Sequence, residues 1–136
     1  MHRHPDLNSQ LISMAGTRSI AVVGAGFSGT ILVAHLLRRS QGGLHIHLIN
    51  KSGRLARGVA YGTRSSGLLL NVPAGRMSAF AEDENDFLRF AQRRDPAIQG
   101  GSFVPRHLYG DYLEHILLSA QSHAARGTVL SHVGDE

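Results

Sequence analysis

A short β-branched run, Ser19-Ile20-Ala21-Val22-Val23, leads without a break into Gly24-Ala25-Gly26-Phe27-Ser28-Gly29, and an apolar helical pattern follows. No other stretch of the chain limits its fold so tightly. The first glycine of Gly-x-Gly-x-x-Gly permits a tight turn out of a strand. The second keeps a Cβ away from an approaching diphosphate. The third lets helix and strand pack closely, and the helix N-terminus offers its N–H groups to an anion. The order points to the pyrophosphate of a dinucleotide, with Gly24, Ala25, Gly26, Phe27, Ser28 and Gly29 as binding residues. A strand–helix turn that binds nothing is the competing reading. The strand before and the helix after favour binding.

The surrounding pattern extends this unit. From Phe27, the apolar Ile31, Leu32, Ala34, Leu36 and Leu37 keep helical spacing up to Arg38-Arg39, and Gly42-Gly43 supplies the stop. Leu44 to Ile49 reads as a second strand, with His45 and His47 alternating against Leu44, Ile46 and Leu48. Strand, helix, strand predicts a parallel pair with a right-handed crossover. Ser19 to Val23 reads as a buried strand and His45 and His47 as solvent-facing. Residues 51–67 read as a functional loop, and Leu68 to Leu70 as a short extended piece. Asp83 is expected to cap a helix through about Arg94, which Asp95-Pro96 ends. A further helix is expected from Arg106 to about Ala124, then Gly127 as a stop and a third strand over Thr128 to Val133. Residues 1–17 lack periodicity and read as a flexible leader. The rest, 18–136, reads as one domain.

The 136 residues allow one domain with a real core. The absence of cysteine excludes disulfides, thiolate metal sites and a redox dithiol. No apolar run approaches the roughly 18–20 residues of a membrane span, and the first residues lack a secretory apolar stretch, so the cytoplasm is expected. The net charge of +4 comes from basic residues scattered along the chain rather than in an aromatic-interleaved stripe, which argues against nucleic acid. None of the nine histidines forms His-x-x-x-His. His115 and His123 would stand about 12 Å apart along one helix, too far to share an ion. No metal is expected.

Three segments resemble the FAD/NAD(P)-binding oxidoreductase family of two-dinucleotide-domain flavoproteins, a class that includes flavin-containing monooxygenases and amine N-hydroxylases. One is Val22 to Gly29. Another is Gly58-Val59-Ala60-Tyr61 followed by Leu69-Leu70-Asn71-Val72-Pro73-Ala74-Gly75-Arg76-Met77-Ser78. The last is Phe103-Val104-Pro105-Arg106-His107-Leu108-Tyr109-Gly110-Asp111-Tyr112-Leu113. The Leu-Leu-Asn-Val-Pro-Ala block is the most specific of them. The resemblance implies a Rossmann-like, three-layer α/β domain with a parallel sheet, incomplete here. It also implies FAD as cofactor, NAD(P)H as reductant, and flavin-dependent oxidoreductase or monooxygenase activity. Members are much longer, so the chain looks like a truncated N-terminal FAD-binding part. Such a part would expose a sheet edge, which favours self-association or a completing partner chain.

The second strand should end in an acid about 20 residues past the glycines, to hold the adenosine ribose. The chain has Asn50 there, 21 residues after Gly29, where the resembled family usually has Glu. Asparagine lacks a carboxylate's paired charged acceptors. Lys51, Arg54 and Arg57 follow it, a neighbourhood that suits the 2′-phosphate of NADP. Spacing alone leaves FAD and NADP even; the later blocks favour FAD. Asn71 and Arg76 lie in the block that, by the resemblance, passes near the flavin. Arg106 opens a helix, where a cation is disfavoured unless an anion is close. No residue is assigned a catalytic role, because a bound flavin would carry the redox chemistry itself. An NADP-binding module without flavin, and a non-catalytic fragment, are the alternatives.

Overall fold

The computed structural model describes residues 16–51 and 54–134. Most of the proposed leader, residues 1–15, lies outside the described residues. Strand β1 (Arg18–Val23) runs into helix α1 (Phe27–Arg39), then strand β2 (Leu44–Asn50). A one-turn helix α2 (Gly58–Tyr61) and a 3₁₀ turn (Ala74–Arg76) interrupt the long connection that follows. Helices α3 (Asp86–Arg94) and α4 (Arg106–Ser122) and strand β3 (Thr128–Gly134) complete the order.

All three strands are parallel, in the order β1-β2-β3. Ile20 pairs with Ile46 and Val22 with Leu48, so the apolar residues of neighbouring strands share one face. That face is buried under α1, which in turn packs along α4. Leu44, Ile46 and Leu48 meet Val33, Ala34 and Leu37 of α1 in the core, and Leu113, Ile116 and Leu117 of α4 extend it. The opposite face bears Ser19, Ala21 and Val23 on β1 and Val129 and Val133 on β3, all exposed. Among the described residues no helix covers it, so they supply two of the three expected layers.

Two expectations are corrected and one is qualified. β1 is an edge strand: only Val22 is buried and Val23 is 80% exposed, because β2 is its sole partner among the described residues. His45 and His47 do lie on the uncovered face, but they are only half-exposed there. Their rings stack with centroids 4.0 Å apart, and His45 Nε2 is bonded to Ser131 Oγ of β3 at 2.7 Å. Asp83 does not cap α3. That helix begins a turn later at Asp86, behind Asn85, while the Asp83 carboxylate accepts a bond from Arg89. The Ser78 hydroxyl donates to the Asp83 carbonyl at 2.5 Å, holding this residue in the preceding turn.

Candidate functional site

At the C-terminal end of β1 the backbone turns through Gly24, whose φ of +95° lies in the region that disfavours any side chain. The Gly24 N–H donates to the Ile49 carbonyl at 2.7 Å, tying the turn to β2. Gly29 permits the next step. A Cβ there would lie 1.8 Å from the Gly24 carbonyl oxygen, so only glycine allows α1 to start this close to β1. Gly26 is the N-cap of α1, no side chain caps the helix, and its first turn holds no acid. A helix start of that kind presents its amides and positive dipole end to whatever lies beyond it.

Asn50 ends β2 beside this turn. Its Oδ1 accepts from the Ala25 N–H at 3.4 Å, and its Nδ2 donates to the Arg54 carbonyl at 3.0 Å. The residue at the ribose position thus also braces the glycine turn and the loop after β2. Val23, Gly24, Ile49, Asn50, Lys51, Val133 and Gly134 line a cleft of about 520 Å³ across the ends of all three strands. Its walls are mainly aliphatic, with Lys51 exposed at its border.

The loop after β2 returns over the turn. A Cβ on Gly58 would stand 3.1 Å from the Gly26 Cα, so the two backbones are nearly in contact. Arg57, just before it, donates from Nη2 to Asp111 Oδ1 at 2.5 Å and to Glu114 Oε2 at 2.9 Å, both on α4. Burial opposes the guanidinium charge, but these bonds and the two carboxylate charges outweigh it and raise its pKa. Tyr61, Phe27 and Phe87 surround the Tyr109 ring. Burial pushes the Tyr109 hydroxyl well above its ordinary pKa.

The other expected residues form a second group. Leu70 N–H donates to the Val104 carbonyl, Ala74 N–H to Ser102 and Gly75 N–H to Gly100, each at 2.8 to 2.9 Å, making a ladder between 68–76 and 100–106. Asn71 and Arg76 are exposed on one arm of it. Arg106 belongs to the other: its backbone N–H donates to the Leu68 carbonyl and its Nε to the Leu69 carbonyl at 3.1 Å. The structure therefore brings Gly24 to Gly29, Asn50 and Lys51 together. Among the described residues, no hydrogen bond or ion pair joins Asn71, Arg76 or Arg106 to that turn.

Sequence reasoning missed the roles of Arg57, Asp111 and Glu114. One signal was present. Gly110 sits inside α4, where glycine costs about 1 kcal/mol against alanine, so its place there needs a packing reason. A Cβ at Gly110 would lie 2.9 Å from the Tyr61 carbonyl oxygen.

No helix among the described residues is long and apolar enough to cross a membrane. No curated protein matches the chain. The model of the FAD-NAD(P)-binding family matches residues 21–136, from within β1 to the C-terminus. The parallel α/β sheet, the glycine turn and this match agree, and the chain belongs to the FAD-NAD(P)-binding family.

Proposed function

We propose that this domain holds the ADP half of FAD and serves as the cofactor domain of an NAD(P)H-linked flavin oxidoreductase or monooxygenase. One observation carries the reading: the uncapped start of α1, behind a turn that only glycines can make, opens beside an aliphatic cleft at the strand ends. The pyrophosphate fits the amides of the Gly26–Gly29 turn, and the adenosine fits between Val23, Ile49 and Val133. Asn50 meets the ribose, and Lys51 balances negative charge at the cleft border. Bound there, FAD would supply the hydride-accepting chemistry toward a reduced nicotinamide. The residues of this chain bind and orient the cofactor, and none is assigned a proton-transfer step.

The test is the absorbance of the whole chain after incubation with FAD and desalting. Retained flavin bands support the reading. A colourless protein that also fails to bind ADP overturns it. A second reading, NADP as the ligand, is favoured by asparagine in place of an acid with Lys51 beside it. Asn50→Glu separates the two. The FAD reading expects tighter FAD binding, because a carboxylate accepts two ribose hydroxyl bonds. Weaker NADP binding with no gain for FAD supports the second reading.

A further inference from the structure

We propose that Arg57, Asp111 and Glu114 form a latch that positions the 54–62 loop as the second wall of the dinucleotide site. The inference rests on the reading above and deepens it. Arg57 stands among the cations that follow Asn50, which suggests a role on phosphate. Its Nη2 is instead taken up by two carboxylates of α4, and its side chain is only 22% exposed. It therefore acts on the loop and not on the ligand.

Three fixed points define what the latch holds. Ala56, immediately before Arg57, is fully buried with φ of +67°, the only non-glycine residue with positive φ among the described residues. Such a backbone persists only where its surroundings hold it in place. Gly58, immediately after, also has positive φ, +56°, and faces Gly26 at near van der Waals contact. Tyr61 then seats its carbonyl against Gly110 and its ring on Tyr109, with centroids 4.9 Å apart. Releasing Arg57 frees the segment between these points. The part that shifts is Gly58, which lies against the middle glycine of the turn expected to carry the pyrophosphate. The adenosine cleft is lined by strand ends and by no residue of this loop. Its Asn50 does bond the Arg54 carbonyl, but Arg54 lies ahead of the fixed Ala56, so the release of Arg57 reaches that bond less than it reaches Gly58.

This asymmetry supplies the test. The dissociation constants of ADP and of adenosine are measured on the whole chain and on Arg57→Gln. The latch expects ADP to weaken about tenfold through lost preorganisation, with adenosine held within about twofold, and Arg57→Lys to recover part of the loss. Equal weakening of both ligands with a lower Tm would mean that Arg57 merely supports the fold, and an unchanged ADP affinity would mean that the loop is no wall; either overturns the proposal. Should Arg57→Gln fail to fold, Glu114→Gln removes one arm and keeps the Asp111 bond. It is expected to weaken ADP about threefold with adenosine unchanged, and an unaltered ADP affinity overturns the latch. A native chain that binds neither ADP nor adenosine overturns the dinucleotide reading and the latch with it, whereas native ADP binding that the variants leave intact overturns the latch alone.

Discussion

The glycine turn and the 68–76/100–106 ladder each lead into a long helix, yet they are built on opposite principles. The ladder satisfies its backbone groups internally. Strand-like bonds join its arms, Leu68 supplies a carbonyl to the first amide of α4, and Arg106 adds a side-chain bond to Leu69. The glycine turn bonds to β2 at Gly24 and Ala25, and neither helix has a side-chain cap, but among the described residues no backbone carbonyl takes up the first amide of α1 as Leu68 does for α4. A region that consumes its own polar groups is scaffold, and one that leaves the first amide of its helix open is suited to a ligand. Both regions lean on α4. Tyr109 packs toward the turn through Phe27 and Tyr61, while Tyr112 reaches the segment after the ladder, accepting from the Ala79 N–H at 3.2 Å and donating to Asp86 Oδ2 at 2.6 Å.

The largest expected effect breaks the comparison at the turn. Gly29→Ala forces a methyl to within 1.8 Å of the Gly24 carbonyl oxygen. The turn or the helix start must move, and we expect a loss of more than about 3 kcal/mol or no cooperative unfolding at all. Urea denaturation followed by circular dichroism reads it. A variant within about 1 kcal/mol of the native chain would show that the turn yields easily, and the contrast with the ladder would collapse.

On the scaffold side, Tyr112→Phe removes one hydroxyl and strands the Ala79 amide, for which we expect a loss of about 1–3 kcal/mol. Because Tyr112 supports α3 and the 78–80 segment rather than the turn, ADP affinity should not change. Loss of ADP binding in this variant would merge the two regions into one unit.

The smallest effect sharpens the division by pH. Burial raises the pKa of both tyrosines, and in Tyr112 the bond to Asp86 raises it further. A tyrosine is neutral when protonated, so a folded pKa above the unfolded value of 10.0 means that the folded state keeps its proton longer. Their contribution is complete below pH 10.0 and declines as pH rises above it. Urea midpoints followed into this alkaline range should fall less steeply in Tyr109→Phe and in Tyr112→Phe than in the native chain. If neither substitution flattens the profile, the alkaline loss arises elsewhere.

Much of the glycine turn was legible in the sequence because its causes are local. A β-branched run, three spaced glycines and a helical pattern specify strand, turn and helix within a few residues of one another. The helix ends at Arg39, Arg94 and Ser122 lie at or close to the expected stops for the same reason. Non-local contacts hid the rest. β1 looks like a buried strand by composition, but its place at the sheet edge is decided by which strands pair. Asp83 has the chemistry of a cap, yet the Ser78 hydroxyl and Arg89 hold it in the turn before the helix. Arg57 finds its carboxylates 54 and 57 positions away, a separation at which neither periodicity nor spacing carries information. Asn50 was singled out by its distance from the glycines, and it does end β2 beside their turn. Its bond to the Ala25 amide depends on how the strand ends align, and only the structure shows it.

The register of β3 bears on the order in which the molecule assembles. β1 and β2 are separated by residues 24–43, whereas β2 and β3 are separated by residues 51–127. Closing the second gap costs more chain entropy and joins distant contacts, so β1, α1 and β2 should nucleate early and β3 should dock late. Val133 and Gly134, on that late strand, complete the cleft that Val23 and Ile49 begin. A dinucleotide seated there therefore recognises only chains that have finished folding, and its presence should slow unfolding by holding β3 in place.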